Sequence, residues 1–186
     1  YQINQLWDMS FQVSQNRSDS ENKLNQQKIS HFDTTSYHYN WLNQISLFDN
    51  SILILGADYD HDKVFSNTEF SDTTRYNYGL FSEYQLFHDK FDFSFSLRHD
   101  DNESYDQHTT GNVSLAIPLN TAIKVTAGYG TAFKAPNFND LYYPKETYPA
   151  YTPGGPTSSY SGNPNLDAET SDSYDLGLTG SWGNNN

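Results

Sequence analysis

A period of two runs through this sequence. Phe91, Phe93, Phe95 and Leu97 alternate with Asp92, Ser94, Ser96 and Arg98. Strict alternation is the primary mark of a β-strand with one apolar and one polar face. Val113, Leu115, Ile117 and Leu119 oppose Asn112, Ser114, Ala116 and Pro118, and Ile123, Val125, Ala127 and Tyr129 oppose Lys124, Thr126, Gly128 and Gly130. Tyr174, Leu176 and Leu178 oppose Asp175, Gly177 and Thr179. Earlier segments follow the rule less strictly. Trp7, Met9, Phe11 and Val13 share a face, and so do Tyr37, Tyr39, Trp41, Ile45 and Leu47, interrupted by Asn43. Ile52 to Leu55 is a continuous apolar run of ambiguous register, and Tyr76, Tyr78, Leu80, Tyr84 and Leu86 form a further face with Ser82. The pattern predicts about eight strands, most of about ten residues, the length that crosses a bilayer at a tilt.

The connections alternate as well. Tight turns are expected at 48–51, 87–90 and 118–121, and long polar loops at 16–36, 60–75, 99–110 and 135–171. Short turns at one end and long loops at the other describe an antiparallel transmembrane β-barrel wall, with periplasmic turns and extracellular loops. A soluble sandwich has no reason to keep this alternation.

Composition fits that reading. Hydrophobic residues are only 35% of the 186, yet aromatics are 16%. Disordered chains are polar but poor in aromatics, whereas a barrel wall exposes only alternate residues to lipid and stays polar on average. A net charge of -13 argues against nucleic acid, which needs a basic surface. The absence of cysteine excludes disulfides and thiolate metal sites. No apolar run is long enough for a transmembrane helix. The six histidines are scattered without zinc spacing, and no nucleophile elbow, phosphate loop or dinucleotide fingerprint occurs. No catalytic role and no cofactor is therefore assigned. Asp58, Asp60 and Asp62 alternate on one face and are weak Ca²⁺ candidates; no glycine-bearing calcium loop follows them, and the blander reading is solvated acidic surface.

The most specific segment is GYGTAFKAPNFNDLYYP, followed by a Tyr/Pro-rich insert and YSGNPNLDAETSDSYDLGL. Phe133, Lys134, Ala135, Pro136 and Asn137, then Gly162, Asn163, Pro164, Leu166 and Glu169, resemble the paired motif of the TonB-dependent outer-membrane receptors. GTAFKAPN and GNPNLDAE are most similar to the vitamin B12 (cobalamin) transporter branch. The resemblance implies a bacterial outer-membrane location and about eight strands of a 22-strand barrel. It implies a scarce nutrient as ligand, such as cobalamin, an iron-siderophore or haem, and TonB as partner. No plug domain and no TonB box is seen in the sequence, so residues 1–186 are expected to be an internal part of the barrel domain. An unpaired edge on such a part is expected to self-associate.

The motif also has a plain structural reading. Pro136 ends a strand because it cannot donate to a ladder, and Asn163-Pro164 signals a turn. Tyr142, Tyr143, Tyr148, Tyr151 and Tyr160 offer rigid amphipathic contact area for a ligand. They could equally pack on one another or sit in the interfacial aromatic girdle. A small eight-strand outer-membrane barrel and a soluble extracellular binding domain are the competing architectures.

Overall fold

The computed structural model describes residues 1–148 and 155–181, which form one antiparallel sheet with a small ribbon and a single helical turn. The sheet runs in sequence order through β1 (Gln2–Asn4), β2 (Trp7–Leu24), β3 (Gln27–Phe48), β4 (Ser51–Ser66), β5 (Thr74–His88), β6 (Phe91–Asn102), β7 (Asp106–Pro118) and β8 (Ile123–Lys134). After β8 come α1 (Phe138–Tyr142) and a ribbon of β9 (Glu146–Tyr148) with β10 (Ser158–Tyr160). Strand β11 (Glu169–Gly180) then pairs back on β8. Among the described residues the sheet does not close on itself; β1 and β11 are its edges. A small closed eight-strand barrel is therefore not formed.

All eight strands read from the alternation are present, as β2–β8 and β11, and their registers put the apolar sets on one face. Tyr84, Phe95, Val113, Tyr129 and Tyr174 form one unbroken cross-strand row, and Leu86, Phe93, Leu115, Ala127 and Leu176 form the next. The outward rings cluster: Tyr59 lies 5.9 Å from Tyr39 and 4.8 Å from Tyr78, and Tyr129 lies 4.9 Å from Tyr174. Such rows match the aromatic girdle of an outer-membrane barrel. A single-layer sheet has almost no water-soluble core. Among the described residues only Val64 and Leu141 are buried hydrophobics, while Phe11, Leu80 and Leu176 are 66%, 62% and 84% exposed. An exposed apolar face of that extent is unusual for a chain in water and fits the wall of a membrane barrel.

The Asn43 interruption has a local cause. It is 4% exposed, accepts from the Trp7 indole at 3.1 Å and donates to the Leu55 carbonyl at 3.5 Å. A polar side chain survives on the apolar face because its hydrogen bonds are made within the wall.

The long loops are a correction. Residues 16–36 are strand for nearly their whole length, with β2 and β3 paired up to a turn at Asn25-Gln26. Those two residues have φ of 50° and 68°, the positive values a two-residue hairpin turn needs. Likewise β4 continues to Ser66 and β6 to Asn102, so the real connections are 67–73 and 103–105. The alternation fades in these stretches because polar residues stand on both faces, and hydrophobic period no longer marks a strand. Ladder hydrogen bonds still satisfy the backbone. Among the described residues, the one long connection left is that between β8 and β11, which carries α1 and the β9–β10 ribbon.

Candidate functional site

The polar face of the wall carries a charged lattice. Arg98 on β6 donates through two nitrogens to Asp58 of β4 at 2.7 and 2.9 Å, and to Asp100 at 2.6 and 2.7 Å. The Asp58 and Asp100 side chains are only 8% and 3% exposed, and a covered carboxylate is costly without a basic partner, which Arg98 supplies to both. Glycines make the room. A Cβ on Gly79 would lie 2.2 Å from the Arg98 guanidinium, and one on Gly56 would lie 2.2 Å from the Phe81 ring. Phe81 in turn sits 5.8 Å beneath the guanidinium.

Towards the long-strand end this face opens into a cleft of about 330 Å³, lined by Ser36, Asp60, Asp62, Arg75, Asn77, Asn102 and Tyr105. Asn77 donates to Asp100 at 2.9 Å and accepts from Asn102 at 3.2 Å. Tyr105 lies in the connection 103–105, where burial pushes its hydroxyl above the usual tyrosine range. The three aspartates proposed for Ca²⁺ each face a different basic group: Asp58 meets Arg98, Asp60 meets His38 and Asp62 meets Arg75. They are thus spread along one strand rather than converging. Among the described residues the side chains that do converge are Asp19, Glu21 and His31 on the β2–β3 hairpin, with ligand atoms within 4.8 Å of one another. His31 is already bonded to Asp19 at 2.8 Å and Glu21 is paired with Lys23 at 3.3 Å.

Over the cleft lies the motif segment, folded into an arch. Asn137 caps α1 by accepting from the Asp140 amide at 3.0 Å, while the Asp140 carboxylate accepts from the Asn137 amide at 2.9 Å. This reciprocal box starts the helix. Leu141 on α1 is 1% exposed. Gly162 closes the arch: its amide donates to the Tyr143 carbonyl at 2.8 Å, and a Cβ there would meet the Leu141 carbonyl at 2.6 Å. Only glycine allows that approach. Asn163 donates to the Asp140 carbonyl at 2.8 Å and its side chain accepts from Asn165 at 3.0 Å. Asn163, Pro164 and Leu166 lie exposed at the return of the arch. Phe133 stacks on His108 at 4.7 Å and packs near Tyr105 at 5.9 Å. Pro136 is buried, Ala135 half-buried, and Lys134 pairs with Glu169 at 3.6 Å, both 78% exposed, an ion pair of little energetic weight. The motif therefore builds this arch.

The proposed tyrosines divide. The Tyr142 hydroxyl donates to Ser104 at 2.8 Å and its carbonyl accepts from the Ser71 amide at 3.3 Å. Tyr143 lies between Phe70 at 5.9 Å and Tyr160 at 5.2 Å. Tyr160 reaches the Asn139 carbonyl at 3.3 Å and stays 45% exposed. The Tyr148 side chain and Tyr151 lie outside the described residues. The sequence reading missed Arg75, Phe70, Ser104 and Tyr105. Arg75 opens the polar set of β5, and its placement there is the one sequence signal for it.

The family model described as "TonB dependent receptor-like, beta-barrel" matches residues 1–186. A "Vitamin B12 transporter BtuB" of Photobacterium profundum is 33% identical over 180 residues, covering 95% of this chain and 27% of that protein. One of Vibrio cholerae is 30% identical over 174 residues, covering 94% and 24%. The chain thus spans about a quarter of the length of these curated relatives. Among solved structures, the siderophore receptor PirA of Acinetobacter baumannii superposes with a TM-score of 0.66 at 18% identity, over 95% of this chain and 30% of that one. The ferric enterobactin receptor PfeA in complex with BCV-L6 gives 0.67 at 18%, over 94% and 30%. At such identity these last two speak for the fold alone.

Proposed function

Since this chain belongs to the TonB-dependent receptor β-barrel family, whose members sit in the bacterial outer membrane, we propose that the protein carrying it takes up cobalamin. Residues 1–186 supply part of the barrel wall and of the ligand-capturing mouth. One observation carries the reading: the GTAFKAPN and GNPNLDAE segments fold into a single docked arch above a polar cleft, in a chain 33% identical to a vitamin B12 transporter over nearly its whole length. Tyr143 and the half-exposed Tyr160 give that arch an aromatic edge, and rigid amphipathic rings contribute binding area at low entropy cost. The cleft below adds amide and carboxylate groups able to orient a large polar ligand. Iron-siderophores and haem are the neighbouring substrate classes, and the wall by itself does not choose among them. Engagement of TonB is assigned to segments other than these strands.

The experiment is deletion of 149–160 in the intact receptor, scored by binding of cyanocobalamin to whole cells at normal surface expression. Weakened binding is expected. Unchanged affinity would leave the arch as scaffold, and absence of cyanocobalamin binding by the unaltered receptor would refute the choice of nutrient.

A further inference from the structure

Arg75 stands at the start of β5, where the wall, the cleft and the arch meet. Its side chain is 19% exposed and touches three separate parts of the chain. One terminal nitrogen donates to Asp62 of β4 at 3.2 Å, and the other donates to the Pro136 carbonyl at 3.0 Å. The guanidinium carbon lies 4.9 Å from the centre of the Phe138 ring on α1. A planar fork that binds on its edge and stacks on its face is a use to which lysine cannot be put. The Pro136 carbonyl follows the last strand residues of β8, and proline there has already removed one ladder hydrogen bond. The arch leaves the sheet at this point, and Arg75 ties it back.

Among the described residues two further hydrogen bonds hold the arch beside the Phe70–Tyr143 ring contact, Tyr142 to Ser104 and the Ser71 amide to the Tyr142 carbonyl. Both run to short connections. Arg75 alone of the three is anchored on the strands and also lines the cleft.

We infer that Arg75 is a positioning residue for capture: it seats the arch over the cleft so that the aromatic edge and the polar floor face one ligand. The inference rests on the capture reading above. A loop held in its binding conformation binds more tightly because less ordering is left to the moment of binding. Releasing it weakens capture and leaves later translocation untouched. The signature is a higher KM for uptake with an unchanged maximal rate.

The test uses the intact receptor with Arg75→Met and Arg75→Lys. Two quantities are read, both on protein shown to be a folded barrel by its heat-modifiable migration. The first is the rate of trypsin cleavage after the exposed Lys145, next to the β9–β10 ribbon, which reports opening of the arch without any nutrient. The second is KM and maximal rate for cyanocobalamin uptake. Arg75→Met is expected to raise both the cleavage rate and KM about tenfold, the loss of one charge-assisted anchor, with the maximal rate unchanged. Arg75→Lys keeps the charge near Asp62 but loses fork and stack, and is expected to recover less than half of the effect. Phe138→Leu removes the ring under the guanidinium, keeps an apolar side chain against Tyr142, whose ring lies 5.9 Å away, lies outside the sheet, and is expected to shift both readouts about threefold; it carries the test if Arg75→Met does not fold. An unchanged cleavage rate overturns the positioning role, whatever happens to uptake. Faster cleavage with an unchanged KM shows that Arg75 holds the arch but that the arch does not capture, which overturns the capture reading and the inference with it. Full rescue by lysine, or a fall in maximal rate instead of a rise in KM, also overturns it.

Discussion

Replacing Phe95 by arginine should unfold the wall, while the same replacement at Ser94 should not. Phe95 is fifth in β6 and follows the tight turn at 89–90 by a few residues. At about 3.3 Å per residue and a tilt near 45°, it stands roughly 10 Å above that turn. The apolar band of an outer-membrane barrel is about 25 Å tall, so this height is close to mid-membrane. Its row neighbours are Tyr84 and Val113, which carry no negative charge to pair with a guanidinium and offer only the one neutral hydroxyl of Tyr84, and its own ring is 46% exposed. A mid-membrane arginine on that face costs about 2–4 kcal/mol, a shift of roughly 30- to 900-fold in the folded population. Ser94 faces the other way, bonded to Ser114 at 2.8 Å, where water or polar groups can solvate a guanidinium. The assay is urea titration of the intact receptor refolded into lipid vesicles. Equal losses at the two sites, or a larger loss at Ser94, would reverse the inside and outside faces and with them the position of the cleft.

Gly79→Ala should cost about 1–3 kcal/mol, because its Cβ meets the Arg98 fork at 2.2 Å and Asp58 at 2.6 Å; the same vesicle titration reads it. Gly162→Ala should leave the barrel's stability unchanged yet raise trypsin cleavage after Lys145, since the obstacle at 2.6 Å is backbone and cannot swing aside. Asn43→Leu should destabilise by about 1–2 kcal/mol despite added apolarity, because the Trp7 indole loses its acceptor; stronger quenching of tryptophan fluorescence by a lipid-borne quencher would accompany it.

The wall was legible because lipid and lumen impose opposite demands on alternate residues. Phe91 to Leu97 and Val113 to Leu119 could be placed on one face before any register was known. The upper halves of β2 and β3 were not legible, since Arg17, Asp19, Glu21 and Asp33 put charges on the face that is apolar lower down while Asn16, Ser18 and Ser20 keep the other face polar, so no hydrophobic period survives. The motif announced a loop through Pro136 and Asn163. What holds that loop could not be read, because Arg75 and Phe70 are brought to it only by the pairing of β4 with β5. The partners of the aspartate triplet could not be read for the same reason: they come from three other strands.

The hairpin of β2 and β3 also bears on how the molecule meets its surroundings. Its outer portion, 16–36, is a ladder and not a tether, so it stands as a stiff mast up to about 30 Å long on either limb. A mast sweeps little volume. In the crowded polysaccharide outside such a cell it keeps its tip, Asn25-Gln26, at a fixed distance from the arch. A peptide tag inserted at that turn is expected to be held on a stiff ladder away from the arch and displayed to antibodies without loading the cleft.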